Sequence, residues 1–343
     1  MKNPNNSITI QEVAKEAGVS TATVSRVINK TGGVSDKLEK RVRDAMKDLN
    51  YHPSSLARNL KRQRSMVVGV MVPMLEHPTY GQMAAAIERK LFDAGYHALI
   101  CSSEDDEERE RAYLEMLLRQ RVEGIIINSA ARDTTHIREL ADYGIPIILF
   151  DRILDGVAFN QVFCDNSMGG YIGIEHLIKL GHRRIGVVAA PSHPEPILRR
   201  IRGTQEALAD YGIDLDPDLL ITRDTQLFNA GYEAGRHLLQ LDPRPTAIFA
   251  LTDVTAVGVM HAAAEMNLRI PEDLSIVGYD NIPIASYILP PLTTVNQPII
   301  EMGETAVDVL FKHIESPELE PEKTVLRTNL VVRQSTAAPS RRV

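Results

Sequence analysis

The sequence predicts a two-part chain: a small all-α helix-turn-helix domain, then a large α/β domain of two doubly wound parallel-sheet lobes. Three observations predict it. Capped segments with apolar residues at helical spacing fill the first fifty residues. From Met66 onward, short β-branched runs alternate with amphipathic helices, the pattern of parallel sheets covered on both faces. These βα units are too many for one sheet in a chain of 343 residues, a length that suits roughly two to three domains.

The head is legible residue by residue. Thr9-Ile10-Gln11-Glu12 is a capping box, in which the Thr and Glu side chains satisfy the free N–H groups of a helix start. Ile10, Val13, Ala14 and Ala17 then form one apolar face, and Gly18 stops the helix where a left-handed residue is cheapest. Ser20 is placed to cap a second helix with Val24, Val27 and Ile28 inside, and Ser35 to cap a third through Leu38, Val42, Ala45, Met46 and Leu49. Helices one and two, joined by a short Gly-containing turn, make the helix-turn-helix unit over residues 1–50. Residues 51–65 follow as a hinge and linker. Pro53 suits a first helical position there, but two turns cannot stand alone in water, so this helix should depend on a partner.

In the body, strands are expected at Val67–Val72, His97–Cys101, Gly124–Asn128, Pro146–Phe150, Gln161–Cys164, Ile185–Ala190, Ala247–Ala250, Leu274–Gly278 and Thr293–Asn296. Helices are expected at Gln82–Ala94, Glu107–Arg119, Gly169–Leu180, Arg202–Tyr211, Ala230–Gln240 and Val254–Met266. The body is expected to occupy 66–338. A frayed tail occupies 339–343.

Charge is unevenly spread. Residues 1–66 carry 13 Lys/Arg against 6 Asp/Glu, whereas the remainder carries 25 against 39. A basic head on an acidic body suits nucleic-acid binding, because cations displace phosphate counterions while the body is repelled. A solvated charged face would look the same by charge alone, and Lys37, Lys40, Arg41 and Lys47, which suit such a face, are assigned only background attraction. With 44% hydrophobic and 24% charged residues the composition is that of a globular protein. Apolar runs such as Met66–Pro73 fall short of the ~20 residues a bilayer span needs. Met1–Ile10 is polar, unlike a secretory signal. Cys101 and Cys164 lack metal-type spacing and read as buried thiols of a reducing compartment, hence a cytoplasmic protein. No Gly-rich phosphate loop, Gly-x-Ser-x-Gly elbow or His-Glu-x-x-His pair occurs, so no catalytic site, metal site or cofactor is expected. His77-Pro78, His182 and His193-Pro194 read as loop or packing histidines.

In doubly wound folds, ligands bind beyond the carboxyl ends of the strands. The polar residues closing apolar runs there are Asn128, Asp151, Asp165, Thr252 with Asp253, and Asp280. Asp165 and Asp253 are as well placed to cap the next helix as to bind a ligand.

The stretch from Thr9 to Asn29, TIQEVAKEAGVSTATVSRVIN, resembles the signature of the lactose/galactose repressor family. Tyr51–Lys61 resembles its hinge helix. Further matches run through Arg121–Ile126, Leu180–Gly186, Arg244–Phe249, Ile276–Asn281, Pro290–Thr294 and Gln297-Pro298. Head, hinge and body in series carry more weight than a helix-turn-helix alone. The resemblance implies a periplasmic-binding-protein-like sensor of two lobes joined by three crossovers, lobe 1 about 66–162 and 293–323 and lobe 2 about 163–292 and 324–338, and a dimeric repressor of a near-palindromic operator under control of a small polar effector: a sugar, sugar acid or related metabolite. It places Thr21, Ala22 and Arg26 at base edges in the major groove, where Arg can fork onto guanine and the Ala methyl can meet thymine. Ser20, Thr23, Ser25, Asn29, Tyr51 and Lys61 fall at backbone-contacting positions. Leu60 matches a minor-groove wedge, with Ala57 beside it and Leu56 joining the paired hinge helices.

For the effector, the resemblance points to Asp151, Arg200 and Asp280, with Thr79, Tyr80 and Thr252 at the rim or stacking. Two carboxylates and a guanidinium supply the directional bonds that a hydroxyl-rich or anionic molecule needs. Gln226 stands where the family often has a stacking aromatic, leaving Tyr80 or Phe228 as substitutes in a chain without Trp. The rival readings are a solute-binding protein for transport, against which the head argues, and a regulator switched by a partner protein. A dimer is expected over a tetramer, since no extra C-terminal coiled-coil helix is evident.

Overall fold

The computed structural model describes residues 8–29, 32–51, 64–129, 131, 133–189, 195–214, 216–223 and 228–340. It divides into two compact units, residues 1–65 and residues 66–343.

In the first unit, helices α1 (Ile10–Ala17), α2 (Thr21–Asn29) and α3 (Asp36–Asp48) enclose a core of Val13, Ala14, Ala17, Val24, Val27, Val42 and Ala45. The capping box is complete: Glu12 N donates to Thr9 Oγ1, and Thr9 N donates to Glu12 Oε2 at 2.7 Å. Gly18 closes α1 at φ +61, in the left-handed region that glycine enters without steric cost. Ser20 caps α2 by accepting from Thr23 N. Ser35 differs from expectation. It holds the extended N-cap backbone of α3, but its side chain makes no capping bond.

The second unit has two six-stranded sheets. In the first the order is β11 (Lys323–Leu326), β5 (Asn160–Cys164), β4 (Ile147–Phe150), β3 (Gly124–Ile127), β1 (Val67–Val72) and β2 (His97–Ser102), all parallel. Pleating sends Ile126, Ile148 and Phe150 to the face covered by α4 (Pro78–Asp93) and α10 (Ile299–Glu315). Ile125, Ile127, Ile147 and Leu149 go to the opposite face, which carries α5 (Glu107–Arg119). Such continuous apolar strands belong to sheets buried on both sides.

The second sheet runs β12 (Asn329–Val331), β10 (Thr293–Asn296), β9 (Ser275–Asp280), β8 (Ala247–Ala250), β6 (Ile185–Ala189) and β7 (Leu220–Thr222). Only β12 is antiparallel to its neighbour. Helices α6 (Asn166–Lys179) and α7 (Glu195–Asp210) pack on one face, α8 (Phe228–Leu239) and α9 (Asp253–Glu265) on the other. Helices α6 and α7 approach through glycine: a Cβ at Gly203 would lie 1.8 Å from the Ser167 carbonyl oxygen, and one at Gly170 2.0 Å from that of Arg200.

The expected lobe limits need correction. Thr293–Asn296 belongs to lobe 2, because β10 hydrogen-bonds in parallel to β9, with Thr293 opposite Val277. Lys323–Leu326 belongs to lobe 1, as the edge strand beside β5. The chain therefore crosses between lobes at 164–166, at 297–298 and at 327–328.

Candidate functional site

On α2, Val24 and Val27 point into the core, so the helical phase leaves Thr21, Ala22 and Arg26 on the exposed side. This is the arrangement a groove-reading helix needs: a packed back and a free polar front. Thr23 and Ser20 join hydroxyls at 2.9 Å near the start of α2. Ser25 is half-buried, and its carbonyl accepts from Asn29 Nδ2 at 2.8 Å. Tyr51 is half-buried against the head core. Arg41 does more than cover a charged face: its Nη2 donates to the Ala17 carbonyl at 2.6 Å, tying α3 to the turn.

In the second unit, strand ends from both lobes converge on one narrow cleft. Lobe 1 contributes His77, Thr79 and Tyr80 from the start of α4, Asn128 and Ser129 after β3, and Asp151 after β4. Lobe 2 contributes Ile197 and Arg200 from α7, Thr252 after β8 and Asp280 from the end of β9, while Gln297 stands on a crossover.

Arg200 organises the floor, 3% exposed. Its Nε donates to Asn166 Oδ1 at 2.9 Å, Nη1 to the Leu251 carbonyl at 2.7 Å and to Asp280 Oδ1 at 3.1 Å, and Nη2 to Gln297 Oε1 at 3.1 Å. The guanidinium also lies 3.6 Å from the centre of the Tyr279 ring, a cation–π contact. Asp151 accepts from Asn166 Nδ2 at 3.1 Å and from Gln297 Nε2 at 2.9 Å. Both carboxylates sit on left-handed backbone, Asp151 at φ +48 and Asp280 at φ +109. Strain of this kind clusters at binding sites, where it fixes a side chain's direction.

Burial pushes the Asp280 carboxyl up to about 6, against the opposing pull of Arg200. Burial raises Asp151 too, again opposed by Arg200. His77 is driven down to about 4 by burial, then by the Arg200 charge, and so is neutral near pH 7. Among the described residues, four buried polar atoms around this space have no hydrogen-bond partner: both ring nitrogens of His77, Thr79 Oγ1 and Asp280 Oδ2. Thr79 faces Asp280 closely enough to lower its pKa.

Residues 9–54 match the description "Bacterial regulatory proteins, lacI family", and residues 174–336 match "Periplasmic binding protein-like domain". The chain is 36% identical to the ribose operon repressor of Escherichia coli (strain K12), over 95% of its own length and 99% of the relative's. The chain belongs to the LacI family.

This LacI-family chain is a DNA-binding transcriptional regulator with a helix-turn-helix head and a two-lobed periplasmic-binding-like domain. It is also 33% identical to the transcriptional repressor PurR of Photobacterium profundum, over 95% of this chain and 98% of that one. Among solved structures it is similar to the lac repressor dimer bound to operator and the anti-inducer ONPF, with TM-score 0.87 and 30% identity over 97% of this chain and all of that one. A LacI-family regulator from Enterococcus faecium with bound ribose is similar at TM-score 0.73 and 36% identity, covering 80% of this chain and 100% of that one.

Of the effector residues expected from sequence, Thr79, Tyr80, Asp151, Arg200, Thr252 and Asp280 line one cleft of this regulator. Gln226 lies outside the described residues, as do Leu56, Ala57, Leu60 and Lys61. Phe228 begins α8 and is not among the cleft-lining residues. Asp165 is a cap, accepting from Met168 N at 3.0 Å. Asp253 is structural as well: its carboxylate is fully buried and accepts from Thr294 Oγ1 at 2.6 Å and from Ile282 N at 2.8 Å. Sequence reasoning missed His77, Ser129, Asn166 and Gln297 as site residues. The signal for Gln297 was its place just past a strand end.

Proposed function

We propose that this chain is a repressor that binds a near-palindromic operator as a dimer in the cytoplasm, controlled by an uncharged, hydroxyl-rich effector held between the lobes. The four unpartnered polar atoms in the cleft carry this reading. Unsatisfied buried polar groups cost roughly 1–3 kcal/mol each, and a ligand bearing several hydroxyls satisfies donors and acceptors together. Charge narrows the class: Asp151 and Asp280 face one guanidinium that their own network already engages, which disfavours an anion. The sugar acids allowed by sequence thus fit less well than neutral sugars. The ribose operon repressor and the ribose-bound Enterococcus faecium regulator make D-ribose the first compound to try.

Thr21, Ala22 and Arg26 would read bases, while Ser20, Thr23, Ser25, Asn29, Tyr51 and Lys61 meet the backbone. Leu56, Ala57 and Leu60 would form the hinge that enters the minor groove. Effector binding would act by its difference in affinity for two lobe arrangements. Operator binding followed by fluorescence anisotropy, titrated with D-ribose, ribose 5-phosphate, gluconate and hypoxanthine, tests the effector class. D-Ribose should move the operator midpoint and the two anions should not. A response to ribose 5-phosphate or gluconate alone overturns the charge argument.

A further inference from the structure

Asp151, Asn166, Arg200 and Gln297 form a closed ring of hydrogen bonds. Each oxygen of Asp151 accepts from one amide nitrogen, and each amide oxygen accepts from a different nitrogen of Arg200. Opposite charges at the two poles fix both amide orientations, nitrogen toward carboxylate and oxygen toward guanidinium. The poles lie in different lobes, and the two amides stand on two of the three crossovers: Asn166 just after β5, Gln297 just after β10. Asn166 is 2% exposed, is absent from the lining of the cleft, and also accepts from the Tyr279 hydroxyl at 3.1 Å.

We infer that Asn166 and Gln297 are positioning residues that set the angle between the lobes by linking the lobe 1 carboxylate to the lobe 2 guanidinium across the crossovers. Any change of lobe angle moves Asp151 relative to Arg200 and strains two amides at once. Closure and orientation of the two charged side chains are therefore one event. The inference rests on the effector reading only for what the lobes close upon, so its test is made without effector.

Asn166→Asp retains the shape of the side chain and sets a carboxylate beside Asp151. The groups around the new carboxyl are Asp151 and Cys164 from lobe 1, Arg200 and Glu195 from α7, and Tyr279 and Asp280 from β9. Burial holds the Cys164 thiol and the Tyr279 hydroxyl neutral, so carboxylate repulsion opposes the single Arg200 charge. When ionised, the new group cannot donate to Asp151 and the ring breaks. When protonated, its O–H donates where the amide did, its carbonyl still accepts from Arg200, and the ring closes again.

The experiment uses the full chain with spin labels on Arg119→Cys in lobe 1 and His261→Cys in lobe 2, whose native side chains are 70% and 68% exposed. The two native cysteines are buried. Inter-label distances are measured without ligand at about pH 5 and pH 8, each variant against the unmutated labelled chain at the same pH, which removes the titration of Asp280. Asn166→Asp should give a displaced and broadened distribution at pH 8 that returns to the reference at pH 5. Gln297→Glu should do the same from the other crossover, and serves if the first variant does not fold. A distribution matching the reference at both pH values overturns the inference. So does equal displacement at both, which would mark Asn166 as a packing residue only.

Discussion

Replacing Arg200 with methionine keeps an unbranched chain of similar reach and removes the charge. Four hydrogen bonds disappear, and Asp280 loses the one ionic partner it has among the described residues, at 3.1 Å, with Asp151 already facing two neutral amides. Deleting one partner of a buried pair costs about 3–5 kcal/mol, because the other charge stays buried and uncompensated. For a domain of this size that corresponds to a loss of roughly 10 °C in melting temperature at pH 8. The penalty should depend on pH with a definite sign. Arg200 holds the Asp280 pKa down to about 6, so without it the carboxyl titrates higher still. Below pH 6 Asp280 is protonated in both proteins, and the variant then lacks hydrogen bonds but no longer strands an ionised carboxylate. Calorimetry of both proteins from pH 5 to 8 should show the gap in melting temperature narrowing toward acid. A gap under about 2 °C at pH 8, or one that widens toward acid, would refute the assignment of Arg200 as the counter-ion.

Three further outcomes are expected. Thr9→Ala removes the acceptor of the α1 capping box and should cost about 1 kcal/mol of head stability, read by urea unfolding of helical circular dichroism. Gly170→Ala places a methyl 2.0 Å from the Arg200 carbonyl and must spread α6 from α7, costing about 1–3 kcal/mol of sensor stability by thermal unfolding; an unchanged melting temperature would contradict the glycine-mediated contact. His77 is lowered from 6.5 to about 4, so the unfolded state binds more protons across that window and wild-type stability falls as pH drops through it, by about 3 kcal/mol from this group. Asp280, raised from 3.8 to about 6, acts in the opposite sense over nearly the same range, since there the folded state holds the extra proton. His77→Asn should therefore gain stability relative to wild type as pH falls from 6.5 to 4 in denaturant titrations, and parallel curves would refute the assignment.

The head was legible in sequence because its signals are local. A capping box and a left-handed glycine are complete within three or four residues, and both are present as read. Strands β1, β3, β4 and β6 were legible because burial on both faces makes them continuous apolar runs, whereas β2, an edge strand whose Leu99 and Ile100 are exposed, was legible from its apolar residues alone. Strands β7, β11 and β12 were not: they are edge strands of three or four residues whose identity comes from a neighbour far away in the chain. Proline and glycine misled at helix starts. Helix α4 begins at Pro78 rather than Gln82, and α7 at Glu195 rather than Arg202, because Pro78 and Pro196 occupy first-turn positions that need no N–H. That difference matters, since Arg200 is thereby a helical residue aimed into the cleft. Asp151 and Asp280 could be picked out as polar closures of strands. Asn166 could not, because an amide in the first turn of a helix reads as an ordinary capping residue until the partners at 151, 200 and 297 are brought to it.

The three crossovers also bear on how the molecule can be made and cut. Neither lobe is a continuous stretch of chain, and residues 323–331 supply the outermost strand of each sheet, Lys323–Leu326 to one and Asn329–Val331 to the other. During synthesis both sheets stay unfinished until those nine residues emerge, so the lobes reach completion together. A premature stop just ahead of them would leave two open edges at once, each a template for pairing with another chain.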